Sequence, residues 1–276
     1  MLLWSTGFIV ARYGTRDAGP MTFLFLRMLI AAIVLWAIAI ATNAPSISRV
    51  QVKWAVLTGL GMHAIYLGGV FIAADLGLPS GLSALIAGLH PVVTSVGALL
   101  LLSEKLKPVQ WIGVGCGMGG VVAVVIDRLN AGVSGITAGA IVAMVVSVVG
   151  MSAGTLLQRS RGGSMPLLRG TAVQYAISAV VLGFGSVSVE HFEVRWTARF
   201  WWSLMWAVVV LSIAAVLIML WLLQRQAAVK VSSLFFLTPA LSTIEGAALF
   251  GERLGVLAVV GLAVALVGVA LTTRSH

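Results

Sequence analysis

Two opposite charges, Arg27 and Glu245, lie deep inside apolar sequence. A charge in hydrocarbon costs several kcal/mol unless it is paired or reaches water, so each marks a partner or a function. Counted from the same ends of their segments, the two reach comparable depths, and a mutual ion pair would satisfy both. The alternative is Arg27 reaching toward the headgroups while Glu245 stays protonated or meets water. His63, with Tyr66 one turn further on the same helical face, and His90 are the other ionisable groups at mid-segment. At that depth imidazole and phenol bind polar ligands, carry protons, or bridge two helices as neutral hydrogen-bond partners. Ser147 and Ser212 fall at similar depth, either facing a ligand or gluing helices through their hydroxyls.

Pro91 and Pro239 also fall near the middle of apolar segments, each after a polar residue, His90 and Thr238. A proline there removes one helical hydrogen bond, kinks the helix and frees a carbonyl. Inside a membrane such a carbonyl is tolerated only against protein or a watery cavity. Two matched kinks therefore predict a cavity with movable walls. Catalytic patterns are missing. The four histidines form no H-E-x-x-H, there is no G-x-S-x-G, and the single Cys116 offers neither a disulfide nor a cysteine metal site. No catalytic residue, metal or cofactor is expected. A membrane-embedded enzyme or an assembly partner is a remote alternative.

The elements that must position these groups follow from composition. Hydrophobic residues make up 60% of the 276 and charged residues 9%, with a mean hydropathy of +1.10. A membrane helix needs roughly 20 apolar residues, so ten helices take about 200 and leave only short connections. The reading is an all-α polytopic membrane protein with ten spans, at 1–13, 20–41, 53–74, 79–102, 108–126, 135–158, 166–188, 200–223, 230–250 and 255–273. The first span is half the usual length, which suggests that residues precede it. Pro20, Pro79, Pro108 and Pro166 stand at span starts, where a missing N–H costs little.

The net charge of +9 belongs to loops rather than to a nucleic-acid surface. With the N-terminus inside, ten Lys and Arg fall on the cytoplasmic side and six on the other, Arg27 aside. Both termini are thus expected in the cytoplasm. Trp54, Trp111 and Trp221 mark one interface and Trp196, Trp201 and Trp202 the other. Gly113, Gly115, Gly117 and Gly119 give overlapping G-x-x-x-G spacings, which predict close helix packing within the protein or between subunits.

The chain also repeats itself at an offset of 148 residues. Leu89-His90-Pro91 leads to Glu104-Lys105-Leu106, Gly113 and Gly120; Leu237-Thr238-Pro239 leads to Glu252-Arg253-Leu254, Gly261 and Gly268. Because the offset is five spans, the second copy must run upside down in the bilayer. Two inverted five-helix repeats, residues 1–128 and 129–276, imply alternating access.

These repeats, with Trp4 in span one and Pro20 and Arg27 opening span two, resemble the EamA-type members of the drug/metabolite transporter superfamily, most closely YddG-type exporters of aromatic and other amino acids. The chain departs from that pattern in its short first span and in having no tryptophan at the start of span six. The resemblance implies a multi-pass protein of the cell inner membrane, working in the lipid bilayer as monomer or homodimer on a small-molecule substrate. Its central cavity would be lined by Trp4, His63, Tyr66, His90, Thr94, Ser147, Ser212, Thr238 and Ser242, with Pro91 and Pro239 as gating kinks. Those types suit a zwitterion, and aromatic faces hold an ammonium by cation–π attraction worth about 0.5–2 kcal/mol. The midplane shows no obvious guanidinium or carboxylate clamp, so weak, broad binding is expected. Efflux of cationic drugs through Glu245 is the alternative.

Overall fold

The structure, a computed structural model, describes residues 2–102, 107–130, 136–161, 165–215 and 256–273, together with Ile218, Glu245, Ala248 and Leu249. The expected ninth span falls almost wholly outside these residues, as do Thr238, Pro239, Ser242 and both Glu-Lys/Arg-Leu turns. The described elements are helices: Leu2–Gly14, Pro20–Ala41, Arg49–Asp75, Ser80–Ala87 continued by His90–Leu102, Pro108–Asn130, Ala138–Arg161, Leu167–Ser188, Ala198–Ala214 and Val256–Thr273. They are called here the first to eighth helices and the C-terminal helix. The second to seventh are long and apolar enough to cross a membrane. The protein is a multi-pass membrane protein.

Local chemistry sets the boundaries. Pro20 and Pro108 open their helices, and Pro79 and Pro166 immediately precede theirs. The third helix starts four residues earlier than expected because Ser48 and Gln51 form a reciprocal capping box. The sixth starts at Ala138, where the Thr137 hydroxyl accepts from Ala140 N–H at 3.2 Å. The kink expected at Pro91 is a full interruption. Helix ends at Ala87, resumes at His90, and Leu89 N–H turns tightly back to the Ile86 carbonyl at 3.0 Å. Pro91 has no N–H for the Ala87 carbonyl, and this places the break.

One feature was not foreseen. The third helix widens to a π-helix over Leu60–Ile65 and the eighth over Trp206–Ala214. Each closes with a five-residue bond, Tyr66 N–H to Gly61 O and Ala215 N–H to Val210 O. π-turns are rare and concentrate at functional sites.

Small residues set the packing. The fifth and C-terminal helices cross antiparallel: Gly120 meets Gly261 and Ala265, while Gly268 meets Gly113 and Gly117. A Cβ on Gly120 would stand 2.5 Å from the Gly261 carbonyl oxygen, inside any permissible contact. Among the described residues, Gly115 and Gly119 meet nothing within 4 Å, so the described packing uses only part of the glycine run. The third helix fits the sixth through Gly61 and Gly69, against Gly150, Gly154 and the Ala143 carbonyl. Around Phe23 the bundle is sealed by Phe71, stacked at 5.3 Å, and Phe200, edge-on at 5.7 Å. Large apolar side chains on the outer helix faces, such as Ile33, Ile40 and Phe184, are exposed, as a lipid-facing surface requires.

Candidate functional site

Arg27 enters the bundle from the second helix, about 10 Å in from Pro20 at 1.5 Å per residue. It is 94% buried, being 6% exposed. Its Nε–H donates to the Ser212 hydroxyl at 3.0 Å, and that hydroxyl donates onward to the Ala207 carbonyl at 3.0 Å. The π-turn makes this possible, because it leaves Ser212 five residues from its acceptor. Tyr175 of the seventh helix donates its hydroxyl to the Ser212 carbonyl at 3.2 Å.

His63 stands beyond Tyr175, the two rings edge to face at 4.7 Å. Its Nε2 lies 3.2 Å from Gln174 Oε1, and Gln174 Nε2 donates to Gln158 Oε1 at 3.1 Å. With the amide so oriented, Nε2 is assigned as the donor. A connected polar chain thus runs from Arg27 and Ser212 through Tyr175, His63 and Gln174 to Gln158, near the end of the sixth helix. Tyr66 and Tyr175 both lie within electrostatic reach of the guanidinium.

The other expected residues stand apart from this chain. Ser147 donates to the Tyr66 carbonyl at 2.7 Å and so braces the third helix just past its π-turn. His90 Nε2 meets Thr155 Oγ1 at 3.1 Å, and the His90 carbonyl accepts from Ser152 at 3.3 Å, which ties the broken fourth helix to the sixth. Thr94 presents a buried hydroxyl without a partner among the described residues. Trp4 lies on the first helix, but its side chain is outside what is described.

Arg27 and Glu245 are not paired. Glu245 Oε1 accepts from Ser5 at 2.6 Å and its Oε2 is buried without a hydrogen bond among the described residues, while Arg27 turns to Ser212. Each charge is engaged by a different serine, Glu245 by Ser5 and Arg27 by Ser212. The expectation of no guanidinium near the centre needs revision as well, since the long Arg27 side chain carries its charge to Ser212.

A second polar cluster closes one end of the bundle. The Asp17 carboxylate takes Arg199 Nε and Nη2, both at 2.7 Å, and the Thr197 hydroxyl at 2.9 Å; Arg195 Nε stands at 3.8 Å. The Asp17 carbonyl accepts from Arg195 N–H at 2.7 Å, and Ala18 bridges Val194. The Arg199 hydrogen bond is the main cause holding the Asp17 carboxyl below its ordinary range. Beside it, Glu190 accepts from Met21 N–H, Thr22 N–H and the Thr22 hydroxyl at 2.7–2.9 Å. It thereby caps the second helix with the charge its dipole favours. Trp196 and Trp201 stack tilted at 5.3 Å at this end. Trp54, under Lys53 and Arg161, belongs to the other.

A profile of the EamA-like transporter family matches residues 1–126 and 138–274. The chain belongs to that family. Among relatives, the Bacillus subtilis (strain 168) protein named uncharacterized transporter YvbV is 25% identical over 98% of this chain and 88% of its own. The uncharacterized inner membrane transporter YedA of Escherichia coli (strain K12) is 26% identical over 44% of this chain and 39% of its own. A solved crystal structure shares the fold with a TM-score of 0.66, at 20% identity over 98% of this chain and 92% of that one. As an EamA-like transporter, the protein moves small molecules across a membrane rather than transforming them. Its polar interior is therefore the place to look for the passenger.

Sequence reading missed Tyr175, Gln174, Gln158, Thr155 and Ser5. Gln174-Tyr175, an adjacent polar pair inside an apolar 22-residue helix, was the available signal. Asp17 and Arg199 lie 182 residues apart and carried none.

Proposed function

We propose that this transporter exports small amphipathic metabolites, foremost aromatic and other neutral amino acids, across the cell inner membrane. Ten helices form two inverted halves, residues 1–128 and 129–276, with both termini cytoplasmic, and the halves rock about the midplane. The observation that carries the reading is the pair of contacts Gly113 with Gly268 and Gly120 with Gly261. A shift of 148 residues turns Gly113 into Gly261 and Gly120 into Gly268, so each contact becomes the other. Antiparallel repeats related by a two-fold axis in the membrane plane produce that exchange. The π-turn bonds support it independently, since Tyr66–Gly61 and Ala215–Val210 lie 149 residues apart.

The passenger's chemistry would follow from the polar side chains of the bundle interior. His63, Tyr66 and Ser212 supply hydroxyl and imidazole groups, with Trp4, His90, Thr94, Ser147, Thr238 and Ser242 as further cavity candidates. The breaks at Pro91 and Pro239 would let two helices flex as gates. The clasp around Asp17 would hold the outer side shut in this conformation.

The test is efflux of labelled phenylalanine, methionine and threonine from loaded liposomes, with a His63→Ala/Tyr66→Ala variant beside wild type. Release by wild type that the variant loses is the expected result; no release above empty liposomes by folded protein would overturn the reading. A second reading, efflux of organic cations, draws on the buried Oε2 of Glu245, which has no hydrogen-bond partner among the described residues. Glu245→Gln abolishing cation efflux while sparing amino acids would favour it.

A further inference from the structure

Among the described residues, Arg27 is a buried cation with one hydrogen-bond partner, the Ser212 hydroxyl. Its Nε–H is taken by the Ser212 hydroxyl, and among the described residues neither Nη group has a hydrogen-bond acceptor and no carboxylate lies within 4.0 Å. Glu245, the acid expected to neutralise it, is engaged by Ser5 instead. A guanidinium that is 6% exposed, held by a single neutral oxygen, is expensive to keep unless an anion visits it. The Ser212 contact also fixes its orientation. With Nε occupied, the end-on edge carrying Nη1 and Nη2 is the free one, and two parallel N–H groups there match a carboxylate. Tyr66, within electrostatic reach of the guanidinium, has a hydroxyl that can donate a third bond.

We propose that Arg27 is the anchor for the carboxylate of the transported molecule, held by the end-on edge of its guanidinium while Ser212 positions the side chain. The inference rests on the amino-acid reading and narrows it, making the carboxylate the recognised group and leaving the amine and side chain free to vary. Ser212 and Tyr175 act as positioning residues, and His63 packs edge to face on Tyr175. This arrangement would accept many amino acids and refuse their amides.

The experiment compares efflux of phenylalanine and phenylalaninamide from liposomes holding wild type, Arg27→Gln or Arg27→Lys, with folding checked by thermal unfolding in detergent. Breaking a buried charge pair predicts that Arg27→Gln loses phenylalanine efflux by at least about thirty-fold, while slow amide efflux holds or rises. Arg27→Lys should recover part of the loss, since it keeps the charge without the fork. A folded Arg27→Gln that exports phenylalanine normally, or loses both compounds equally, overturns the anchor and leaves the amino-acid reading standing. Binding separates the two failures and needs no variant. Phenylacetate, which has the carboxylate and no amine, should raise the unfolding temperature of wild type, and phenylethylamine should not. If wild type moves no amino acid but shows that shift, the amino-acid reading falls and the anchor survives. If phenylacetate leaves wild type unshifted, the anchor falls.

Discussion

Replacing Asp17 by Asn should open the clasp at one end of the bundle. The carboxylate side chain is 1% exposed and takes two hydrogen bonds from Arg199 and one from Thr197. Asparagine keeps the shape and one acceptor oxygen but gives up the charge and at least one charge-assisted bond. Such a bond contributes about 1.5–3 kcal/mol. The Arg199 side chain is 42% exposed, and water screens it, so about 1–2 kcal/mol is the fair expectation. If the clasp holds that end closed, the open population rises by roughly 5- to 30-fold. Ser186 reports on it. It is fully buried, bonded to Thr22 at 2.7 Å beneath the Glu190 cap. In a Cys116→Ser background, a Ser186→Cys reporter should react with a membrane-impermeant maleimide added outside, and Asp17→Asn should speed this by that factor. An unchanged labelling rate in folded protein would refute the clasp. Faster labelling only from the cytoplasmic side would refute the assigned orientation.

Further outcomes follow from single contacts. Gly120→Leu should lower the thermal unfolding midpoint sharply, by about 2–4 kcal/mol of stability from overpacking against Gly261, whereas Gly119→Leu, next door but facing open space, should leave it nearly unchanged. Because the Asp17 carboxyl titrates lower when folded than when unfolded, its contribution is fully present above pH about 4 and fades as pH falls through the folded value. Unfolding midpoints of wild type should therefore drop more steeply below pH 4 than those of Asp17→Asn. A double-mutant cycle on His90→Ala and Thr155→Ala should give a coupling of about 0.6 kcal/mol, typical of interhelical hydrogen bonds in membranes; zero coupling would mean that the 3.1 Å contact does not hold the broken helix to the sixth.

Where apolar length decides the outcome, the sequence was a good guide. Pro20, Pro108 and Pro166 mark helix starts within a residue of where they form, because missing N–H groups act locally. The kink expected at Pro91 is a break, a difference only of degree. Side-chain partnership was harder to read. Depth along a helix can be counted from its ends, but a side chain's partner depends on packing, and in the structure Arg27 and Glu245 each take a serine. The π-turns escaped for a related reason. Nothing in Leu60–Ile65 or Trp206–Ala214 departs from ordinary helix composition, and the extra residue per turn is stabilised by tertiary bonds such as Ser147 to Tyr66.

Those two wide turns also constrain how the chain can change over generations. Each carries one residue more than an α-turn requires, so losing a residue there would let the helix close normally and would cost little in backbone bonding. The loss would instead turn everything on one side by about 100° relative to the other, swinging His63 off Tyr175 or Ser212 off Arg27. Insertions and deletions should therefore be absent from these apolar stretches among descendants that keep the same passenger, and frequent in the connections between helices. A lineage that did shorten one of them would be expected to carry something else.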